Sequence, residues 1–199
     1  MPNRKAILER DTGETRVSVE IVIDGTGQYQ VKTGIPMLDH MLSQLAKHGA
    51  FDLKISAEAK SDPDGHHLIE DVAIVLGRAF GQALGERQGL VRMAHALVPL
   101  DEALALVAVD VGGRGYAQID TPFNAEEVGG LSSDMARHFL ETFALEGRLN
   151  LHAKFLSGLN DHHKIEALFK ALAKALDAAT QLDPRIAGQV PSTKGVIDS

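Results

Sequence analysis

Two short segments of this chain carry the same pattern of histidine and glutamate. "DGHHLIE" occupies residues 64–70 and "NDHHKIE" occupies residues 160–166, so each has two adjacent histidines followed by a glutamate. If each segment opens a helix, residues three or four apart share one face, and the glutamate can share a metal ion with either histidine. Adjacent histidines point roughly 100° apart, which favours binding to two different ions. The pattern therefore predicts metal binding through imidazole and carboxylate groups.

A third histidine accompanies each segment, since His40 and His138 lie in matching apolar helical patterns. The predicted ligands are His40, His66, His67, Glu70, His138, His162, His163 and Glu166. The chain has no cysteine, which excludes thiolate sites. Mixed imidazole and carboxylate ligation favours Mn²⁺, with Zn²⁺, Fe²⁺ or Co²⁺ less suited. For a single segment, solvated or helix-capping histidines are the simpler interpretation, but two matching copies favour metal.

The elements that must position these residues occur twice. The His-His pairs lie 96 residues apart, and two predicted helices end at Gly49 and Gly147, which lie 98 apart. With the copies aligned from residue 10, we interpret residues 1–90 as a first half-repeat, 91–182 as a second and 183–199 as a tail. The predicted fold is α+β, an internally duplicated ββαβα-type unit with two β-sheets and helices packed between them.

Each copy opens with alternating apolar residues. Val17, Val19 and Ile21 alternate with polar neighbours before the turn at "DGTG", and this predicts a β-hairpin over residues 14–31. A matching hairpin is predicted over residues 101–119, with its turn at "GGRG".

Charge and hydropathy restrict the possible partners. The formal net charge is −7 and the basic residues are scattered, which argues against a nucleic-acid surface. No run of about 18 apolar residues occurs and the N-terminus lacks a secretory pattern, so we expect a cytoplasmic protein without a membrane span.

Six longer segments can be compared with known families. They are "RDTGET" (10–15), "TGIPMLDHML" (33–42), "HHLIEDVAIVLGRA" (66–79), "VPLDEALA" (98–105), "NDHHKIEALFKALAKAL" (160–176) and "PSTKG" (191–195). In sequence and in order along the chain, these segments resemble those of the imidazoleglycerol-phosphate dehydratase family. The resemblance implies the monofunctional lyase of histidine biosynthesis, which dehydrates D-erythro-imidazole-glycerol phosphate to imidazole-acetol phosphate. It also implies two Mn²⁺ per active site and a homo-oligomer of 24 subunits with shared active sites.

The resemblance also implies roles for individual residues. The catalytic set is Glu14, the first candidate for acid–base catalysis, Asp101, the second, and His40 and Gln44. The substrate and its phosphate would be bound by Glu14, Gln44, Arg92, Arg114, Lys170, Ser192 and Lys194, with the tail closing over them. The expected mechanism passes through a dimetal-bound imidazolate and a diazafulvene-like intermediate.

Two other functions fit the histidine pattern. A dinuclear hydrolase would use a bridging hydroxide, but such sites rely on bridging carboxylates and this ligand set has one glutamate per copy. A metal-storage or structural shell would use the histidines for assembly, but it gives no role to Glu14, Arg92, Arg114 or the "PSTKG" tail.

Overall fold

Two four-stranded sheets enclose four long helices in the computed structural model, which describes residues 4–197. The first half contains β1 (Lys5–Asp11), β2 (Thr15–Val22), β3 (Tyr29–Lys32), α1 (Pro36–Gly49), β4 (Asp52–Ala59) and α2 (His66–Leu84). The second half contains β5 (Met93–Leu100), β6 (Ala103–Asp110), β7 (Tyr116–Asp120), β8 (Glu127–Val128), β9 (Leu131–Ser132), α3 (Ser133–Glu146), β10 (Asn150–Ser157) and α4 (Asp161–Thr180). A 3₁₀ helix (Pro184–Ile186) follows.

The two sheets have the same topology. The strand orders are β1-β2-β4-β3 and β5-β6-β10-β7, with β3 parallel to β4 and β7 parallel to β10. The predicted α+β fold with two sheets is confirmed, but the main sheet of each copy has four strands where the ββαβα order has three. The short hairpin of β8 and β9 occurs only in the second half of residues 4–197.

The two predicted hairpins are wrong. β2 does not pair with β3, because β4 lies between them, and β6 is separated from β7 by β10 in the same way. The hairpins are β1–β2 and β5–β6, whose turns contain residues 12–14 and 101–102. Period-two alternation identifies a strand with one buried face, but it does not identify the neighbouring strand.

The core lies between the sheets. α2 packs on β1 and β2 and against α3, while α4 packs on β5 and β6 and against α1. Phenylalanines join the helices, with ring centroids 5.7 Å apart for Phe80 and Phe143 and 5.9 Å apart for Phe139 and Phe169. Truncating one such buried ring to alanine costs about 3–5 kcal/mol. The helices therefore form a rigid support for the side chains at their ends.

The two histidine pairs lie in the first turn of α2 and α4. Gly65 precedes α2 with a φ of 80°, a left-handed conformation that glycine adopts without steric cost. Asn160 precedes α4 and its side chain accepts hydrogen bonds from the backbone N–H groups of His162 and His163. The two halves therefore start equivalent helices by different local means.

The predicted ranges 1–90 and 183–199 include residues 1–3 and 198–199, which lie outside the described part of the chain. Among residues 4–197, no helix combines the length and the apolar character needed to cross a bilayer.

Candidate functional site

The first cluster of possible metal ligands joins α2 to α3. His66, Glu70 and His138 each offer one ligand atom, and these atoms lie within 4.8 Å of one another. Nε2 of His138 lies 3.2 Å from Oε1 of Glu70, and the rings of His66 and His138 are 5.5 Å apart. Either His66 or His67 could pair with Glu70, and the structure places His66, four residues before Glu70, in the cluster.

The second cluster joins α4 to α1 and has the same composition. His40, His162 and Glu166 also bring three ligand atoms within 4.8 Å. Oε2 of Glu166 lies 3.1 Å from Nε2 of His40 and 3.3 Å from Nε2 of His162. Six of the eight predicted ligands thus divide into one cluster at the α2–α3 contact and another at the α1–α4 contact.

Lys170 distinguishes the second cluster from the first. Its ammonium group lies 2.6 Å from Oε1 of Glu166, one helical turn away. Burial acts to raise the pKa of Glu166, but hydrogen bonds from Lys170 and His40 outweigh it and lower the pKa to about 2. Ile74 occupies the position after Glu70 that corresponds to Lys170. The second cluster therefore carries an extra positive charge.

His67 and His163 lie outside both three-residue clusters, and each lies between two carboxylates. Nδ1 of His67 is 3.3 Å from Oδ1 of Asp62, and its Nε2 is 3.9 Å from Oε2 of Glu14. A hydrogen bond to Asp62 is the largest cause that raises the pKa of His67.

The second half repeats this arrangement. Nδ1 of His163 is 2.8 Å from Oε2 of Glu102, and its Nε2 is 3.7 Å from Oδ2 of Asp101. The hydrogen bond to Glu102 is again the largest cause that raises the pKa of His163. The two predicted acid–base candidates, Glu14 and Asp101, thus each lie near Nε2 of a partly exposed imidazole.

The turn that carries Glu14 is braced against α2. Asp71, only 6% exposed, accepts hydrogen bonds from Arg10 at 2.6 Å and from the Thr15 hydroxyl at 2.5 Å. The Thr12 hydroxyl accepts from the backbone N–H groups of Glu14 and Thr15. These contacts fix the Glu14 backbone near the start of α2. Its side chain stays 53% exposed.

Four of the predicted substrate contacts form a second region. An open pocket of about 510 Å³ is lined by Arg92, Arg114, Ser192 and Lys194, together with Met93, Gly112, Pro191, Thr193, Val196 and Ile197. Lys170 does not line this pocket, and Gln44 lies half-buried on α1, one turn after His40. The structure thus brings four of the predicted phosphate contacts together and leaves Lys170 at the second cluster.

Arg92 ties the tail to the second sheet. Its Nε and Nη2 atoms donate to the two oxygens of Asp110 at 2.7 and 2.9 Å, and Nη1 donates to the Pro191 carbonyl at 2.6 Å. The pairing with Asp110 raises the pKa of Arg92. Two of the five guanidinium N–H groups remain for a ligand. A left-handed φ of 74° at Arg92 sets this orientation.

Three carboxylates of the site were not predicted from the sequence. Glu102 lies 61 residues from His163, and Asp71 contacts Arg10 across 61 residues, so no local signal identified either. Asp62 is different, because a carboxylate five residues before a histidine in the loop that opens a helix is a recognisable signal. It could have been found by looking for partners of the helix N-terminus.

The donor types in both clusters fit a divalent first-row ion. Two imidazoles and one carboxylate leave coordination positions for further ligands, and a carboxylate beside neutral imidazoles suits Mn²⁺ or Zn²⁺. The fold and the site together define a duplicated α+β protein with two equivalent places for a metal and a separate cationic pocket.

Comparison with known proteins identifies the family. The imidazoleglycerol-phosphate dehydratase model matches residues 33–176. A protein of that name from Dehalococcoides mccartyi is 58% identical over the whole length of both chains, and one from Chloroflexus aurantiacus is 56% identical over 98% of this chain and 95% of its own. The chain therefore belongs to the imidazoleglycerol-phosphate dehydratase family, a family of hydro-lyases, which confirms the resemblance of its motifs.

Solved structures with the same family name have the same fold. The Staphylococcus aureus protein superimposes with a TM-score of 0.80 at 30% identity, covering 90% of this chain and 99% of its own. The Pyrococcus furiosus protein, described in complex with (S)-C348, gives 0.81 at 36% identity, covering 95% and 99%.

Proposed function

We propose that this chain removes water from D-erythro-imidazole-glycerol phosphate to give imidazole-acetol phosphate, in histidine biosynthesis. The observation that carries the proposal is the pair of equivalent His₂Glu clusters accompanied by a pocket of arginine, lysine and serine. The substrate has an imidazole ring at one end and a phosphate at the other. The two clusters would hold metal ions for the imidazole ring, and the pocket offers cations and a hydroxyl for the phosphate.

The metal ligands would be the eight predicted residues, holding two Mn²⁺ per active site. His40, His162 and Glu166 would contribute to one ion, and His66, Glu70 and His138 to the other. When bound, the two ions would draw charge from the substrate imidazole and favour the imidazolate that leads to the diazafulvene-like intermediate. Glu166 suits this role because its pKa of about 2 keeps it ionised at neutral pH.

Glu14 and Asp101 are the proposed acid–base groups. The reaction removes a hydroxyl from one carbon and a proton from the next, and a positioned carboxylate can serve both. Both side chains are exposed, at 53% and 72%, and both lie beside the outward nitrogen of a histidine. Glu14 remains the first candidate because its turn is braced by Asp71, whereas a left-handed φ of 47° sets the backbone at Asp101.

The phosphate would bind Arg92, Arg114, Ser192 and Lys194, whose charges and hydroxyl suit an anion. Lys170 would approach it from the second cluster, and Gln44, one turn after His40, would contact a substrate hydroxyl. The tail, residues 183–199, would close over the substrate, and the half-repeats 1–90 and 91–182 would form one enzyme unit.

Sharing of sites between chains accounts for the position of His67 and His163. Each is a predicted ligand, yet among residues 4–197 of one chain neither joins a three-residue cluster. Their rings are partly exposed, at 43% and 30%, so a second chain can reach them. We propose a homo-oligomer of 24 subunits in which these two histidines complete the metal sites of neighbouring chains. No nucleic acid or membrane partner enters this proposal, and a cytoplasmic location stays a prediction.

The test is dehydration of imidazole-glycerol phosphate by the purified protein with and without Mn²⁺, combined with its mass in solution. Activity that depends on Mn²⁺ supports the proposal. Hydrolysis of a phosphoester would favour the dinuclear hydrolase, and metal binding without turnover would favour a storage shell.

The variants His67→Ala and His163→Ala test the sharing of sites. We expect both to abolish turnover and to reduce the assembled mass, whereas His95→Ala, on the outer face of β5, should do neither. Full activity in either variant would contradict shared sites.

A further inference from the structure

We propose that Asp62 and Glu102 are positioning residues which hold the Nδ1–H group of His67 and His163 and so leave Nε2 of each ring free to bind a metal. The inference deepens the proposed function and rests on it, because it concerns the two ligands that a neighbouring chain would use. It assigns a role to two carboxylates that touch neither three-residue cluster.

Asp62 is built into the loop before α2. Its side chain is fully buried, and Oδ2 accepts a hydrogen bond from the backbone N–H of Leu68 at 2.8 Å. Oδ1 faces Nδ1 of His67. Burial acts to raise the pKa of Asp62, but the hydrogen bonds from Leu68 and His67 lower it overall.

Glu102 is held in a comparable way from the β5–β6 turn. Its Oε1 accepts from the backbone N–H groups of Asn160 at 2.8 Å and Leu159 at 3.2 Å, which leaves Oε2 for Nδ1 of His163. The Asn160 contact is the largest cause that lowers the pKa of Glu102, to about 2.

These contacts decide which ring nitrogen carries the proton. A backbone N–H only donates, and an ionised carboxylate only accepts, so the second oxygen of each carboxylate must accept a hydrogen bond from Nδ1–H. In the neutral imidazole the lone pair is then on Nε2, the atom that points away from the anchored carboxylate. Partners of this kind orient metal-binding histidines and raise their basicity.

The two halves reach this geometry with residues that are not equivalent in the repeat. Val17 pairs with Ala57, and Ala105 pairs with Phe155. Because Ala57 and Phe155 are 98 residues apart, as in the repeat, Val17 corresponds to Ala105. The residues three positions earlier, Glu14 and Glu102, therefore correspond to each other. Glu14, however, faces Nε2 of its histidine and Glu102 faces Nδ1. What both halves preserve is an anchored carboxylate at Nδ1, whichever element supplies it.

The test uses the isosteric variants Asp62→Asn and Glu102→Gln. The single amide oxygen will stay with the backbone N–H groups, so the NH₂ group will face the histidine and force Nδ1 to accept. The proton then moves to Nε2, and a metal can bind there only when the ring returns to the disfavoured tautomer. We expect Mn²⁺ affinity to fall roughly 10- to 100-fold, the usual cost of losing such a partner, as measured by equilibrium dialysis with elemental analysis.

The ring tautomer supplies a readout independent of activity. In metal-free protein with ¹⁵N-labelled histidine, at a pH above the histidine titration, the signals of His67 and His163 should change from the Nδ1–H to the Nε2–H form. His67→Ala and His163→Ala assign these signals. Because the Asp62–His67 and Glu102–His163 pairs lie in different halves, each variant tests the proposal by itself, even if the other does not fold.

Asp64→Asn is the matched control in the same loop, since Asp64 accepts a hydrogen bond from the backbone N–H of His66 and the amide oxygen can do the same. Asp120→Asn, at an exposed position of β7, is the control for the second half. Unchanged affinity or an unchanged tautomer in the two test variants would overturn the proposal, as would an equal loss in the controls. A wild-type protein that binds Mn²⁺ without dehydrating the substrate would count against the proposed function alone.

Discussion

Nε2 of His40 lies 3.1 Å from Oε2 of Glu166, although 126 residues separate them in the sequence. The contact exists because α1 packs against α4, which brings a residue from the first half onto the helix of the second. The matching contact between His138 and Glu70 crosses between the halves in the opposite sense. Each cluster therefore needs both halves of the duplicated chain.

Removing one imidazole should empty one cluster only. His40→Ala leaves this cluster with two possible ligands, His162 and Glu166. The cluster of His66, Glu70 and His138 is unchanged. We expect the Mn²⁺ content to fall from two ions per chain to about one, with loss of dehydratase activity. Elemental analysis after gel filtration measures this. His152→Ala, on the outer face of β10, should retain both ions, and two ions in His40→Ala would refute the assignment.

The acid–base proposal predicts unequal effects at Glu14 and Asp101. Loss of a general acid–base group typically costs 10²–10⁴ in rate. We expect Glu14→Gln to lower kcat by roughly this factor with the Mn²⁺ content unchanged, and Asp101→Asn to have the smaller effect. Steady-state kinetics decide between them, and the opposite order would make Asp101 the principal group. Glu58→Gln, on the exposed end of β4, is a charge control.

Lys194 should act on substrate binding more than on turnover. It lines the cationic pocket with Arg92, Arg114 and Ser192. A charge-assisted hydrogen bond contributes about 1.5–3 kcal/mol, so Lys194→Gln should raise KM roughly tenfold or more and weaken inhibition by inorganic phosphate in parallel. Lys154→Gln, which lies on β10 beside Asp120, should change neither. A normal KM in Lys194→Gln would remove the tail lysine from the phosphate site.

The Glu102–His163 pair predicts a pH dependence of stability in the metal-free protein. The pKa of Glu102 falls from 4.5 to about 2 on folding, so its contribution is present above pH 4.5 and is lost as the pH falls through 2. The pKa of His163 is raised above 6.5, so its contribution is present below pH 6.5 and is lost as the pH rises through the folded value. The pair should stabilise the fold most between pH 4.5 and 6.5.

Glu102→Gln should remove this maximum. Urea midpoints followed by circular dichroism from pH 3 to 8 give the difference between wild type and variant. A difference that does not vary with pH would show that the pair does not titrate as described.

The candidate metal ligands could be predicted from the sequence because their signal is local and repeated. Residues three or four apart on a helix share a face whatever surrounds the helix, so spacing alone places Glu70 and Glu166 each beside one histidine of the pair that precedes it. The duplication added His40 and His138. The choice between the two histidines of each pair stayed open until the helix orientation was known.

Strand neighbours and second partners required the tertiary structure. Alternation located β2 and β3 but could not reveal that β4 separates them, because a strand's buried face does not identify its neighbour. Glu102 was not predicted, although its neighbour Asp101 was. Its contact with His163 exists only because the β5–β6 turn lies beside the start of α4.

The sequence by itself determined the duplication, the ligand types and the family, since these depend on residue identity and local spacing. The tertiary structure decided which ligands share a cluster, which carboxylate faces which nitrogen of His67 and His163, and which cations meet at the tail. Those relationships depend on how α1 packs on α4 and α2 on α3, and long-range packing is set by the whole core.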